Sequence, residues 1–234
     1  MKIICSLFLA MFLIVSTASA ESKEARKQEE RLQDAGVVMS EVLSMPDTIP
    51  HRILDRTKCV VIVPSVRKAA FIVGASYGRG AMVCRTGEDF TGPWGAPSMM
   101  AVEGGSFGLQ AGLEATDFVF LIMNEHGAAS LLKSKVKLGA DIAAVAGPVG
   151  RDAQADTDAY MRAEILTYSR ARGIFAGISL EGSTLRPDND ANEALYAQRI
   201  SARKIVLGEG APTPEAARQL VALLEKASPR PANG

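Results

Sequence analysis

The chain has 234 residues, with 26 Lys+Arg against 26 Asp+Glu. That balance excludes polycation behaviour and nucleic-acid binding along the whole sequence. A hydrophobic fraction of 47% supplies a packed core and excludes disorder for most of the chain.

The first twenty residues stand apart. Lys2 gives a positive start, Ile3 to Val15 is almost wholly apolar, and Ala18-Ser19-Ala20 supplies small residues. The apolar run is about 13 residues, against about 20 for a membrane span. The pattern predicts a signal peptide over 1–20, cleaved after Ala20, and export to a periplasm or cell envelope. Cys5 would leave with it, too early in the run to be a lipoprotein acceptor. Removing twenty residues from 234 leaves 214, with 25 basic and 26 acidic groups.

Residues 21–31 are a charged segment. Leu32, Ala35, Met39, Val42 and Leu43 then recur at helical spacing, and Pro46 stops that helix. Leu32, Met39, Val42 and Leu43 form an apolar face for either a membrane or the core, and docking on the core is the expected use. A short helix is predicted through Pro50, Ile53 and Leu54. Strands are predicted at 59–63, 69–73, 81–85, 98–102, 105–111 and 117–123, followed by a short helix capped by Asn124. Further strand-like runs fall at 135–138, 141–146, 163–170 and 173–180. Residues 190–198 read as helix, 204–206 as extended and 213–226 as helix, before a Pro-rich tail. Twenty-one glycines punctuate the strands. The expected fold is α+β: a single domain with a curved or barrel-like, mainly antiparallel sheet, and N- and C-terminal helices packed on it.

Several constellations carry possible chemistry. Gly104-Gly105-Ser106-Phe107-Gly108 matches the G-x-S-x-G elbow of serine hydrolases, with Asp117 and His126 downstream in the right order. The interval leaves no room for the strands of that fold, so a hydrolase at Ser106 is a remote alternative and a structural serine is expected. Gly74, Gly78 and Gly80 lack the G-K-[ST] of a phosphate loop and read as a hairpin. His51 and His126 are the only histidines, and no zinc spacing or other metal site exists. Lys133, Lys135 and Lys137 alternate; in a strand they would share one face about 7 Å apart. That row suits phosphates, or guards a sheet edge. Arg67, Lys68 and Arg79 add positive charge near the first hairpins. Cys59 and Cys84 are candidates for one disulfide. If strand 69–74 lay between theirs, they would be about 9.5 Å apart, beyond the roughly 7 Å limit; another strand order permits the bond.

Segments in order then support a family. They are Ile49-Pro50 before Leu54; Val73-Gly74 with Tyr77-Gly78-Arg79-Gly80; Trp94-Gly95-Ala96-Pro97; Gly104 to Gly112 with Thr116-Asp117; Ala146-Gly147-Pro148-Val149-Gly150-Arg151; and Tyr168-Ser169 with Gly173 to Ser183. The chain resembles the lipid-binding SYLF domain family, the actin-binding SYLF-type domain of yeast SH3 proteins, as a bacterial exported member. The resemblance covers 32–207, with 208–234 as a C-terminal helix and tail. It implies a non-enzymatic, cofactor-free protein that binds membrane phospholipids of the phosphoinositide type. Arg67, Lys68, Arg79, Lys133, Lys135 and Lys137 would meet headgroups. Export would make actin an unlikely partner. The alternative is a structural or assembly protein of the envelope that binds another protein.

Overall fold

The computed structural model describes residues 2–46, 48–70, 73–107, 115–150, 160, 162–171, 174–178 and 180–229. Of these, the side chains at 2–21, 67–70, 73–75, 105–107 and 115 lie outside the description. Helix α1 runs from Lys2 to Ser44 and α2 from His51 to Arg56. Two long strands follow, β1 (Cys59–Ala70) and β2 (Val73–Cys84), then β3 (Ser98–Phe107) and β4 (Ala115–Ile122). Next come α3 (Glu125–Lys133), β5 (Val136–Lys137), β6 (Ala144–Ala146), β7 (Ile165–Ala171), β8 (Ile174–Gly177) and β9 (Thr184–Pro187). The chain closes with α4 (Asn189–Tyr196), α5 (Ala202–Val206), a 3₁₀ turn (Glu215–Ala217) and α6 (Arg218–Ala227).

The strands form one sheet in the order β5-β9-β3-β2-β1-β4-β7-β6, with β8 also on β7. Every pair is antiparallel except β6–β7. The fold is α+β, with a curved, half-barrel-like sheet flanked by N- and C-terminal helices. Both faces of its centre are covered. Val61, Val63, Met82 and Phe120 face α3 and α5, while Val60, Ile62, Val83 and Leu121 face α1, α2 and α6. Two-sided burial explains why β1 opens as a continuous apolar run rather than an alternating one. Leu32, Met39 and Val42 are fully buried and Leu43 is half-buried, so this helical face docks on the core. Each fully buried side chain contributes about 1.5–3 kcal/mol at most.

The first hairpin differs from its prediction. Pro64 does not end a strand; β1 continues through a bulge, and its register shifts between Ile62 and Arg67 against β2 and between Val63 and Val66 against β4. A proline lacks the donor a regular ladder needs, and a bulge spares it. Since β1 and β2 pair directly, Cys59 lies opposite Cys84, and the two are disulfide-bonded with Cα atoms 3.9 Å apart. No strand intervenes. Residues 204–206, predicted extended, are helical because the Ser201 side chain accepts from Lys204 N at 3.4 Å and caps a turn. Strand β9 carries no apolar run and was not predicted.

Candidate functional site

Several polar groups line a groove between α1 and the first hairpin. Arg31 and Asp34 of α1 line one wall; Pro64, Ser65, Tyr77, Gly78 and Arg79 line the other, around a cavity of about 300 Å³. A cavity of about 660 Å³ also lies along residues 43–52 with Gly150, but its lining is mostly apolar side chains and chain turns.

The groove follows from local sequence. In β2 the side chains at 77 and 79 point to the α1 face, and positions 78 and 80 point to the other. Those two are glycines because the β1 bulge presses against them. A Cβ on Gly78 would lie 2.6 Å from Val66 Cγ2, and one on Gly80 only 1.9 Å from the Ile62 carbonyl oxygen. Ser65, at the bulge, has φ 50° and donates its backbone N–H to Asp117 Oδ1 at 2.8 Å.

Tyr77 is 45% exposed, unusual for a large side chain among the described residues. The Arg79 guanidinium carbon sits 5.8 Å from the Tyr77 ring centroid, and Arg79 Nε donates to Tyr77 Oη at 2.5 Å. Behind it lies Asp188, whose side chain is 5% exposed and whose Oδ2 is 3.0 Å from Arg79 Nε. Asp188 Oδ1 caps α4 by accepting from Ala191 N at 3.3 Å. Oδ2 receives no aligned hydrogen bond, because that Nε–H is directed to Tyr77. Their contact is therefore mainly ionic. Burial works against the Arg79 charge, but the hydrogen bond to Tyr77 and the field of Asp188 outweigh it and raise its pKa. On α1, Arg31 donates to Gln28 Oε1 at 2.5 Å and Gln28 donates to Glu24 Oε1 at 2.7 Å. Among the described residues Arg31 has no carboxylate within ion-pair distance.

Four of the six predicted headgroup residues have described side chains, and these come from β2 (Arg79), the end of α3 (Lys133), β5 (Lys137) and the link before it (Lys135). Arg67 and Lys68 lie in β1 opposite Tyr77 and Ser76, with side chains outside the description. Arg79 is committed to Asp188. Lys133 ends α3, so the 133–137 row is not a strand; Lys135 lies 3.4 Å from Glu103, and Lys137 is exposed in the edge strand β5. Glu103 also accepts from Arg186, at 2.8 Å.

Among the described residues no hydrolase triad is assembled. Ser106 lies in β3 opposite Gly74, not at a strand-to-helix turn; its side chain and Gly108 lie outside the description. Asp117 Oδ2 accepts from Arg170 at 2.6 Å, while the exposed His126 pairs with Glu164. Among the described residues no cluster of His, Cys, Asp and Glu could hold a metal.

Residues 103–227 match the Ysc84 family, described as Las17-binding protein actin regulator. The chain belongs to this family. It is 32% identical to LAS seventeen-binding protein 3 of Saccharomyces cerevisiae over 217 residues, covering 91% of this chain and 46% of that protein. It is also 32% identical to SH3 domain-containing YSC84-like protein 1 of Homo sapiens over 204 residues, covering 86% of this chain and 58% of the relative. The chain thus spans about half the length of these relatives.

These findings correct the expectations built on the first twenty residues. The relatives are yeast and mammalian proteins named for Las17 binding, SH3 domains and Ysc84 likeness. They overturn a bacterial member, a signal peptide cleaved at Ala20, export, and a periplasmic or envelope location. They also overturn actin as an unlikely partner, since the Ysc84 family is described as an actin regulator. Phospholipid binding as the function, with membrane phospholipids as partner, falls with them. A short apolar run behind one lysine, ending in small residues, fits a helical segment as well as a signal peptide. Here α1 continues unbroken through Ala18–Ala20. The relatives are named for what they bind or contain and not for a reaction, in keeping with a non-enzymatic chain.

Arg31, Asp34 and Asp188 were not predicted for the site. The available signal was Tyr77-Gly78-Arg79-Gly80, where two large polar side chains alternate with two glycines and must share one face.

Proposed function

We propose that this chain is a protein-binding module that takes part in actin-filament assembly or its regulation. The proposed module comprises residues 32–207, with the 208–234 segment joined to it through Leu220 and Leu224 in the α1-side core. The observation that supports this reading most directly is membership of a family described as Las17-binding protein actin regulator. The groove fits such work, because exposed Tyr and Arg side chains are the residue types that carry most binding energy at protein interfaces. The test is co-sedimentation of the purified chain with filamentous actin, beside pull-down of actin-regulating proteins from a yeast extract. Filament pelleting that leaves the chain in the supernatant, together with no captured actin regulator, would overturn the reading.

A further inference from the structure

We propose that the groove between α1 and the first hairpin is a docking site for an acidic peptide segment of a protein partner. The proposal rests on the protein-binding reading above and names the chemistry of the partner.

Charge complementarity argues for that occupant. Of the charged residues lining the groove, Arg31 and Arg79 are cationic and only Asp34 is anionic. Arg31 is held by a neutral group, Gln28, and among the described residues no carboxylate lies within ion-pair distance of it, although the field of Glu24 reaches both Arg31 and Arg79. Arg79 is neutralised by Asp188 from the buried side and through Nε. No hydrogen bond among the described residues engages its two terminal nitrogens, which leaves one edge of the guanidinium for a carboxylate. A planar fork matched to a carboxylate is what arginine supplies and lysine does not. Tyr77 adds an exposed ring to the same lining, rigid at small entropic cost, against which the peptide backbone or an aliphatic stem can pack. The cavity of about 300 Å³ has room for one or two side chains, not for a folded domain. The occupant is therefore a segment.

Several features make the site pre-formed. Gly78 and Gly80 fix the hairpin against β1, Asp117 holds the Ser65 end of the bulge, and Asp188 fixes the Arg79 stem. A groove that does not rearrange spends less binding energy on ordering.

The test uses the full chain and a fluorescein-labelled hexaglutamate peptide, read by fluorescence anisotropy at low salt. Arg31→Ala touches no buried carboxylate and should weaken binding about tenfold. Arg79→Lys keeps a cation beside Asp188 but removes the fork, and should weaken binding several-fold while thermal melting stays near wild type. Asp34→Asn should tighten it, because one repelling charge is removed. Lys137→Ala, in the edge strand away from the groove, should change nothing. Equal weakening by Arg31→Ala and Lys137→Ala, no response to Arg31→Ala, or binding of pyrophosphate without the peptide would each overturn the proposal. Actin co-sedimentation of the same variants separates the two readings. Peptide binding without filament binding keeps the groove and rejects the actin role. Filament binding unaffected by Arg31→Ala, with no peptide bound, rejects the groove and keeps the actin role.

Discussion

Gly80→Ala tests the reasoning about the groove most severely, because the cost comes from a single added methyl group. Its Cβ would lie 1.9 Å from the Ile62 carbonyl oxygen and 2.7 Å from Val63 Cα. Both are backbone atoms, so no side-chain rotation relieves the clash. Strands β1 and β2 would have to part by more than an ångström where the sheet is already bulged. Overpacking of a tight site costs about 1–3 kcal/mol, and each ladder hydrogen bond lost adds about 1 kcal/mol. A loss of about 3 kcal/mol or more is expected. Gly36→Ala in α1 supplies the contrast. There the nearest atom to a new Cβ is Leu220 N at 3.7 Å, an ordinary contact. The helix would gain about 0.5–1 kcal/mol, because alanine orders more readily than glycine. Urea unfolding followed by circular dichroism measures both. The Tyr77–Arg79 groove should be distorted in Gly80→Ala and intact in Gly36→Ala, so hexaglutamate binding should track the first variant only. Gly80→Ala within about 0.5 kcal/mol of wild type would refute the claim that the β1 backbone fills that space.

Val42→Asp should lower stability by more than about 3 kcal/mol in the same unfolding assay, because Val42 is fully buried against the sheet and offers a carboxylate no partner. The Cys59→Ala/Cys84→Ala double variant should lose about 3.5 kcal/mol by the loop-entropy relation for a separation of 25 residues, and added reductant should shift wild-type melting but not the variant's. For Glu103, the hydrogen bond from Arg186 outweighs partial burial and holds its pKa below the usual value, with Lys135 adding to the effect. Its contribution to stability is then fully present above the unfolded pKa of about 4.3 and lost as pH falls through the lower folded pKa. Glu103→Gln should therefore flatten the acid limb of a melting-temperature profile below about pH 5 and leave the slope near neutrality unchanged.

The fold was legible where periodicity was strong. The 32–43 face, the apolar start of β1 and the 117–122 run each met the burial their patterns imply. What stayed hidden was long-range or conditional. Pro64 reads as a stop signal, yet a bulge lets the strand run on, and only pairing with both β2 and β4 reveals it. β9 is a strand because β3 and β5 offer it edges, not because Thr184-Leu185-Arg186-Pro187 favours extension. Lys133, Lys135 and Lys137 alternate in sequence, but α3 claims the first of them. In the groove, Arg79 was visible as a cation, whereas its buried partner lies more than a hundred residues away. Asp188 caps α4, a usual role for an aspartate at that position; its second oxygen has no local signature.

The two walls of the groove belong to different parts of the chain, so something must set their separation. Asp117 of β4 accepts from Ser65 N with one oxygen and from Arg170 of β7 with the other. Arg170 in turn pairs with Glu41 of α1. A single chain of charge-assisted contacts thus runs from the bulge to the helix through two intervening strands. Asp117 and Arg170 are largely buried, at 13% and 20% side-chain exposure, so solvent screens their pair less than a surface pair. Breaking it in the middle would free both walls at once: Arg170→Met would leave Asp117 without its cation and α1 without its tether. The consequence distinguishes a tether from a generic stabiliser. Arg170→Met should weaken peptide binding at the groove although residue 170 lines no part of it, whereas an equally destabilising change on the α3 side of the sheet should not.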